Sequence, residues 1–118
     1  MEAAKLKMII RRWNIEEETG YKPYTTFWKD FSIADTYGLQ AIQDTFNRAF
    51  NEWKDNYKYL TELVLVLNHK IFYHYAKNGT DEENDKAYLY NKLWNEANDY
   101  ALENLQGEQA DYFYYITD

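Results

Sequence analysis

An all-α fold is what this sequence predicts: a compact single-domain bundle of about four to five helices around a central apolar helix spanning residues 57–77. Three observations carry that reading. Apolar residues recur at spacings of three and four almost throughout, and no strand-like alternation outlasts a few residues. One proline and four glycines in 118 residues leave few points at which a helix must stop. The stretch Tyr57 to Tyr75 is apolar nearly all round, with Leu60, Leu63, Val64, Leu67 and Ile71 on one face and Leu65, Val66, Phe72 and Tyr73 on the opposite side. Such a helix belongs inside, with other helices packed on its flanks. A chain of this length makes one domain, residues 1–118, burying about two-thirds of its unfolded surface, with 1–21 as a more loosely attached arm.

Taken in order, Met1 to Ile15 reads as a short helix with Leu6, Ile9, Ile10 and Trp13 on one side. Its Lys5, Lys7, Arg11 and Arg12 are long enough to cover apolar surface while keeping their charges wet. Gly20 and Pro23 mark Thr19 to Thr26 as a loop. Thr25 or Thr26 then caps a short segment containing Phe27, Trp28 and Phe31, and Ser32 with Asp35 three residues on resembles a capping box that would start a new helix at Ile33. From Leu39 the pattern is clean, with Leu39, Ile42, Phe46, Ala49, Phe50 and Trp53 on one arc against Gln40, Asp44, Asn47, Arg48, Asn51 and Glu52. Gly38 inside a helix would cost ~1 kcal/mol, so it marks a kink or a close approach.

Asp55 and Asn56 separate this helix from the central one, which ends near Lys77 with Asn78 and Gly79 as its C-terminal cap. Thr80 and Asp81 cap the next helix, whose first turn holds Asp81, Glu82, Glu83 and Asp85 where the helix dipole favours negative charge. A stripe of Leu89, Tyr90, Leu93, Trp94, Ala97, Tyr100, Ala101 and Leu105 faces inward, and Asp85, Glu96, Asp99 and Glu103 face outward. Gly107 stops that helix, and the aromatic stretch from Glu108 to Asp118 reads as a short docked helix.

Composition narrows the function. Without cysteine, disulfides, thiolate metal sites and cysteine nucleophiles are excluded, and a cytoplasmic location is expected. The longest apolar run, Leu63 to Leu67, is far short of the ~20 residues a membrane span needs, and Met1 to Ile15 lacks the pattern of a secretory signal. Net charge is −7 and unevenly placed: residues 1–12 carry +3, whereas 81–118 hold ten acidic and two basic residues. Such a domain repels phosphate backbones and is the better electrostatic match for a basic protein partner than for nucleic acid.

No motif for catalysis or cofactor binding is present, and a non-enzymatic role without cofactor or metal is expected. His69 and His74 are about 140° apart around a helix, so one face cannot offer both to a metal. His74 is expected at the core edge with one hydrogen bond, and His69 pointing to solvent or a partner. The acidic run Asp81 to Asp85 lacks the glycine and distant glutamate of an EF-hand. Twenty acidic residues offer many carboxylate pairs, none raised above the others, so an enzyme using a carboxylate or His74 is a further alternative. The compositional outlier is aromatic content, with thirteen tyrosines. Tyrosine buries its ring while its hydroxyl stays wet, which suits contact surfaces. The candidate partner surface is Tyr88, Glu96, Asp99, Glu103, Tyr112 and Tyr115.

The segments YTTFWKDFSIADTYG, AIQDTFNRAFNEWKDNYKYLTELVLVLNHKIFYHY, LYNKLWNEANDYALENLQGE and YFYYITD together resemble a family of small uncharacterised proteins of Gram-positive bacteria, often carried on integrative or conjugative elements. The resemblance spans about residues 24–118 and implies a cytoplasmic accessory protein of a mobile element, with no functional residue attached. The expected function is therefore a non-enzymatic protein-interaction accessory factor, whose tyrosine-rich surface also suits a homo-oligomer. Two alternatives stand beside it: an acidic DNA mimic that inhibits a host defence protein, and a DNA-associated factor using Lys5, Lys7, Arg11 and Arg12.

Overall fold

The computed structural model describes residues 23–77 and 79–117, which form five helices: α1 (Pro23–Tyr37), α2 (Leu39–Trp53), α3 (Tyr57–Tyr75), α4 (Asp81–Asn104) and α5 (Glu108–Thr117). No strand occurs among the described residues. The all-α bundle predicted by the 3.6-residue period is the observed fold. The basic segment Met1 to Ile15, the arm 1–21 and Asn78 lie outside the described residues.

α1 departs most from expectation. It begins at Pro23, inside the stretch read as a loop, because the fixed φ of proline suits a first helical turn whose N–H has no partner in any case. It also runs through Ser32 without a break. The capping box predicted there does not form, since Ser32 and Asp35 both turn their side chains to Lys70 of α3 and not to the local backbone. The break falls at Gly38, with φ 111°, a backbone angle that side chains disfavour. A Cβ added there would meet nothing within 4 Å, so the angle and not crowding asks for glycine. The cost expected of glycine inside a helix is avoided because Gly38 is the joint between α1 and α2.

The later boundaries follow the sequence closely. Asn56 caps α3 by accepting from the Tyr59 N–H at 3.3 Å, and Thr80 caps α4 by accepting from Glu83 at the same distance. α3 ends at Tyr75, two residues before its predicted end, and Gly79 and Gly107 turn the chain with φ of 65° and 62°.

α3 touches all four other helices and packs most extensively on α4. Every residue from Tyr59 to Leu67 is buried. Around it gather Phe27, Phe31 and Ala34 from α1, Ile42 and Phe46 from α2, Leu93, Ala97 and Ala101 from α4, and Phe113 from α5. The all-round burial predicted for α3 fails near its C-terminus, where Phe72 is 63% exposed and Tyr73 41%. Ile116 and Tyr112 of α5 and Tyr24 of α1 cover Leu65, and Phe72 lies two turns further along that face. On the opposite side of the same turns Lys70 and His74 are buried instead.

Candidate functional site

Burying a lysine and a histidine demands an explanation, since an ion taken out of water costs several kcal/mol unless it is paired and hydrogen-bonded. The partners come from three helices. Ser32 and Asp35, three apart on α1, face Lys70 and His74, four apart on α3; Glu83 and Tyr90 approach from α4. Lys70 Nζ donates to Ser32 Oγ at 2.8 Å and to Asp35 Oδ2 at 2.9 Å, and sits 4.1 Å from the centre of the Trp28 ring. His74 lies between two carboxylates, with Nδ1 at 2.5 Å from Glu83 Oε2 and Nε2 at 3.2 Å from Asp35 Oδ2. The Tyr90 hydroxyl donates to Asp35 Oδ1 at 2.6 Å, and its ring stacks on His74 with an interplanar angle of 9°.

Asp35 is therefore the hub, receiving bonds from a lysine, a histidine and a tyrosine. Two carboxylates on opposite ring nitrogens are both satisfied only when both nitrogens donate, as in the imidazolium. The hydrogen bond from His74 holds the Glu83 carboxyl below its ordinary value of 4.5. Burial, reinforced by the hydrogen bond to Asp35, pushes the Tyr90 hydroxyl far above its ordinary value of 10.0.

This arrangement ties α1, α3 and α4 together. Lys70 Nζ reaches both Ser32 Oγ and Asp35 Oδ2 and so ties α3 to α1. Both ring nitrogens of His74 are engaged by carboxylates. A cavity of about 320 Å3 opens onto the cluster itself, lined by Ser32, Asp35, Lys70, His74 and Glu83 with Lys77 and Lys86 at its rim. Among the described residues no three His, Asp or Glu side chains are grouped to hold a metal ion.

Two expectations for the histidines need correction. His74 is more deeply held than a core-edge residue with one hydrogen bond, because both carboxylates converge on it. His69 is half-buried and bonded through Nδ1 to the Tyr24 hydroxyl of α1. Ser32, Asp35 and Lys70 were not expected in any cluster. The available signal was Lys70, which falls on the Leu63 and Leu67 face of a helix that is otherwise apolar there.

The predicted partner residues divide into two groups. Tyr88, Glu96, Asp99 and Glu103 all lie exposed within about 80° of arc on the outer face of α4. Tyr88 is 73% exposed. Asp85, Lys92 and Leu102 share that face or its margin, and none of Asp85, Glu96, Asp99 and Glu103 is ion-paired among the described residues. Tyr112 and Tyr115 sit on α5, which packs mainly on α3. Tyr112 is half-buried with its ring edge-on to Tyr57, centroids 5.3 Å apart, and Tyr115 is exposed. Lys5, Lys7, Arg11 and Arg12 lie outside the described residues.

Fold and surface together define a small, acidic, α-helical bundle. Compared with protein-family models, curated proteins and solved structures, the chain matches none. Among the described residues no helix is long and apolar enough to cross a membrane.

Proposed function

We propose that this chain is a non-enzymatic protein-interaction module that presents the outer face of α4 to a basic protein partner or to a second copy of itself. The observation behind it is the contrast within α4: its inner side is fully committed to the core, while Asp85, Glu96, Asp99 and Glu103 stand on the outside with exposed Tyr88 among them. Carboxylates without ion-pair partners among the described residues are available to a basic surface, and an exposed tyrosine supplies contact area at low entropic cost. The resemblance of residues 24–118 adds a setting, that of an accessory cytoplasmic protein of a mobile element.

A narrower reading rests on the same face. α4 is 24 residues, about 36 Å, and its carboxylates run along much of that length, so a protein that normally binds DNA would meet a row of negative charge. This DNA-mimic version predicts that duplex DNA competes for the partner and that salt weakens the complex.

The test compares the wild-type chain with Glu96→Lys/Asp99→Lys/Glu103→Lys and with Tyr88→Ser. Light scattering at low and high salt reads self-association, and affinity capture reads the basic partner. Both associations should weaken in the variants. If every association of the wild type survives all of these substitutions, the reading fails.

A further inference from the structure

α1 and α2 leave Gly38 as two helices of 15 residues, each about 22 Å long. Their inner faces enter the core and pack on each other, and beside that contact side chains of both helices line an open groove of about 890 Å3. This surface is separate from the outer face of α4.

The groove has the features of a seat for another helix. Its α1 side repeats at helical spacing through Asp30, Ile33 and Tyr37, and its α2 side through Ala41, Thr45 and Ala49. The small side chains allow a helix to come within the 8–10 Å between axes of close helix packing. Ile33 and Tyr37 are 51% and 80% exposed, leaving apolar surface at one end with little cover. That surface is not explained by the core, which α1 completes with Phe27, Phe31 and Ala34.

The charges lining the groove select the occupant. Among the described residues that line it, Asp30 of α1 and Asp44 and Glu52 of α2 stand against one cation, Arg48, whose guanidinium lies 3.4 Å from the Thr45 hydroxyl. Three carboxylates to one guanidinium repel an anionic lipid surface or a nucleic acid and attract lysine and arginine. We propose that the α1–α2 groove is a docking site for a basic amphipathic helix of a protein partner, its apolar ridge lying over Ala41, Thr45 and Ala49 and its basic flanks reaching Asp30, Asp44 and Glu52. The proposal does not rest on the α4 face, and the two surfaces are separable by mutation.

The experiment measures fluorescence anisotropy of a labelled peptide of about 18 residues, five helical turns of leucine and lysine with the leucines on one face, added to the full chain. A second peptide has the same composition with the leucines scattered around the helix. The ordered-face peptide should bind at least about tenfold more tightly than the scattered one, a difference of ~1.4 kcal/mol. Ile33→Asp/Tyr37→Ser should weaken that binding about tenfold, and because both side chains are exposed the fold should be retained, as checked by the thermal midpoint.

Charge is controlled by two matched variants. Asp30→Lys/Asp44→Lys/Glu52→Lys should abolish binding of the peptide, whereas Glu96→Lys/Asp99→Lys/Glu103→Lys, with the same change in net charge, should alter it by less than about threefold. Equal losses in the two variants would mean that the peptide responds to net charge alone and would overturn the groove. Equal binding of the ordered and scattered peptides would overturn it as well. Neither result bears on whether the α4 variant loses the chain's own associations, so the two readings fail separately.

Discussion

Glu83 and Glu96 lie on the same helix, thirteen residues apart, and are the same side chain in opposite situations. Glu83 is at the mouth of a buried cluster, 2.5 Å from a histidine that is itself 1% exposed, and that contact lowers its pKa. Glu96 stands on the outer face among other acids, in water. What separates them is what faces them. Glu83 meets α3 where that helix turns Lys70 and His74 inward, so its charge completes a network joining α1, α3 and α4. Around Glu96 the packed side of α4 points the other way. Acidic residues thus serve stability at one end of α4 and are left available for recognition over the rest of it.

The comparison is broken most decisively at Asp35. Replacing it by alanine leaves Lys70 and His74 buried without the carboxylate they share, and removing one partner from a buried ion network costs ~3–5 kcal/mol. For a domain of this size that lowers the thermal midpoint on the order of 15–25 °C. Adding Lys70→Met to Asp35→Ala should recover part of the loss, since it deletes the orphaned charge while keeping most of the volume. Thermal melts of the three proteins decide the matter. A loss under about 1 kcal/mol for Asp35→Ala, the scale of exposed ion pairs, would erase the distinction between cluster and surface.

Tyr90 tests the same network from α4 with a smaller effect. Tyr90→Phe keeps the ring stacked on His74 and removes a hydrogen bond to a charged group, which costs ~1.5–3 kcal/mol. Its pH dependence has a definite sign. The folded hydroxyl has its pKa raised, so its contribution is fully present below the unfolded value of 10.0 and declines above it, as the unfolded chain releases a proton that the folded chain keeps. Denaturant titrations above pH 10 should show the wild type losing stability faster than Tyr90→Phe.

Glu83 sharpens the contrast on the acid side. Its folded pKa is depressed, so its stabilisation is present above the ordinary value of 4.5 and is lost as pH falls below it. Glu83→Gln should be less stable than wild type at pH 7 and should approach it as pH falls toward 3, in urea unfolding followed by circular dichroism. Parallel curves for Glu83→Gln and the wild type would mean that the bond to His74 contributes nothing to folding.

The fold was legible because it depends on a period. The inward face of the helix from Leu39 to Trp53 could be read from Ile42, Phe46 and Trp53, though the sequence puts its start at Ile33 with Gly38 inside it, and the Thr80 cap could be read from a side chain that bonds its own neighbourhood. The cluster was not legible, because apart from the bond between His74 and Glu83 its bonds join residues 35 to 55 positions apart in the chain. Ser32 and Asp35 illustrate the loss: locally they spell a helix start, and only the presence of Lys70 across the interface turns them to another use. Phe72 fails for the related reason that the wheel shows which face is apolar but not where a short covering helix stops. Tyr88, Glu96, Asp99 and Glu103 were placed together because one helix carries all four, whereas the relation of Tyr112 to Tyr57 needed the docking of α5.

The smallest expected change in stability is also the one that separates folding from recognition. Glu96→Lys/Asp99→Lys/Glu103→Lys alters three exposed side chains that make no ion pair in the described structure, so stability should move by no more than about 0.5 kcal/mol per site. Relief of repulsion among neighbouring acids on one helix face favours the variant, while lysines three and four apart reintroduce repulsion of the opposite sign. The two effects nearly cancel. Association should behave differently, because attraction to a basic partner depends on the sign of the field and becomes repulsion on reversal. A variant that melts with the wild type but has lost its partner would assign the outer face of α4 to recognition. One that keeps its partner while its melting point falls would show that this face, too, serves the fold.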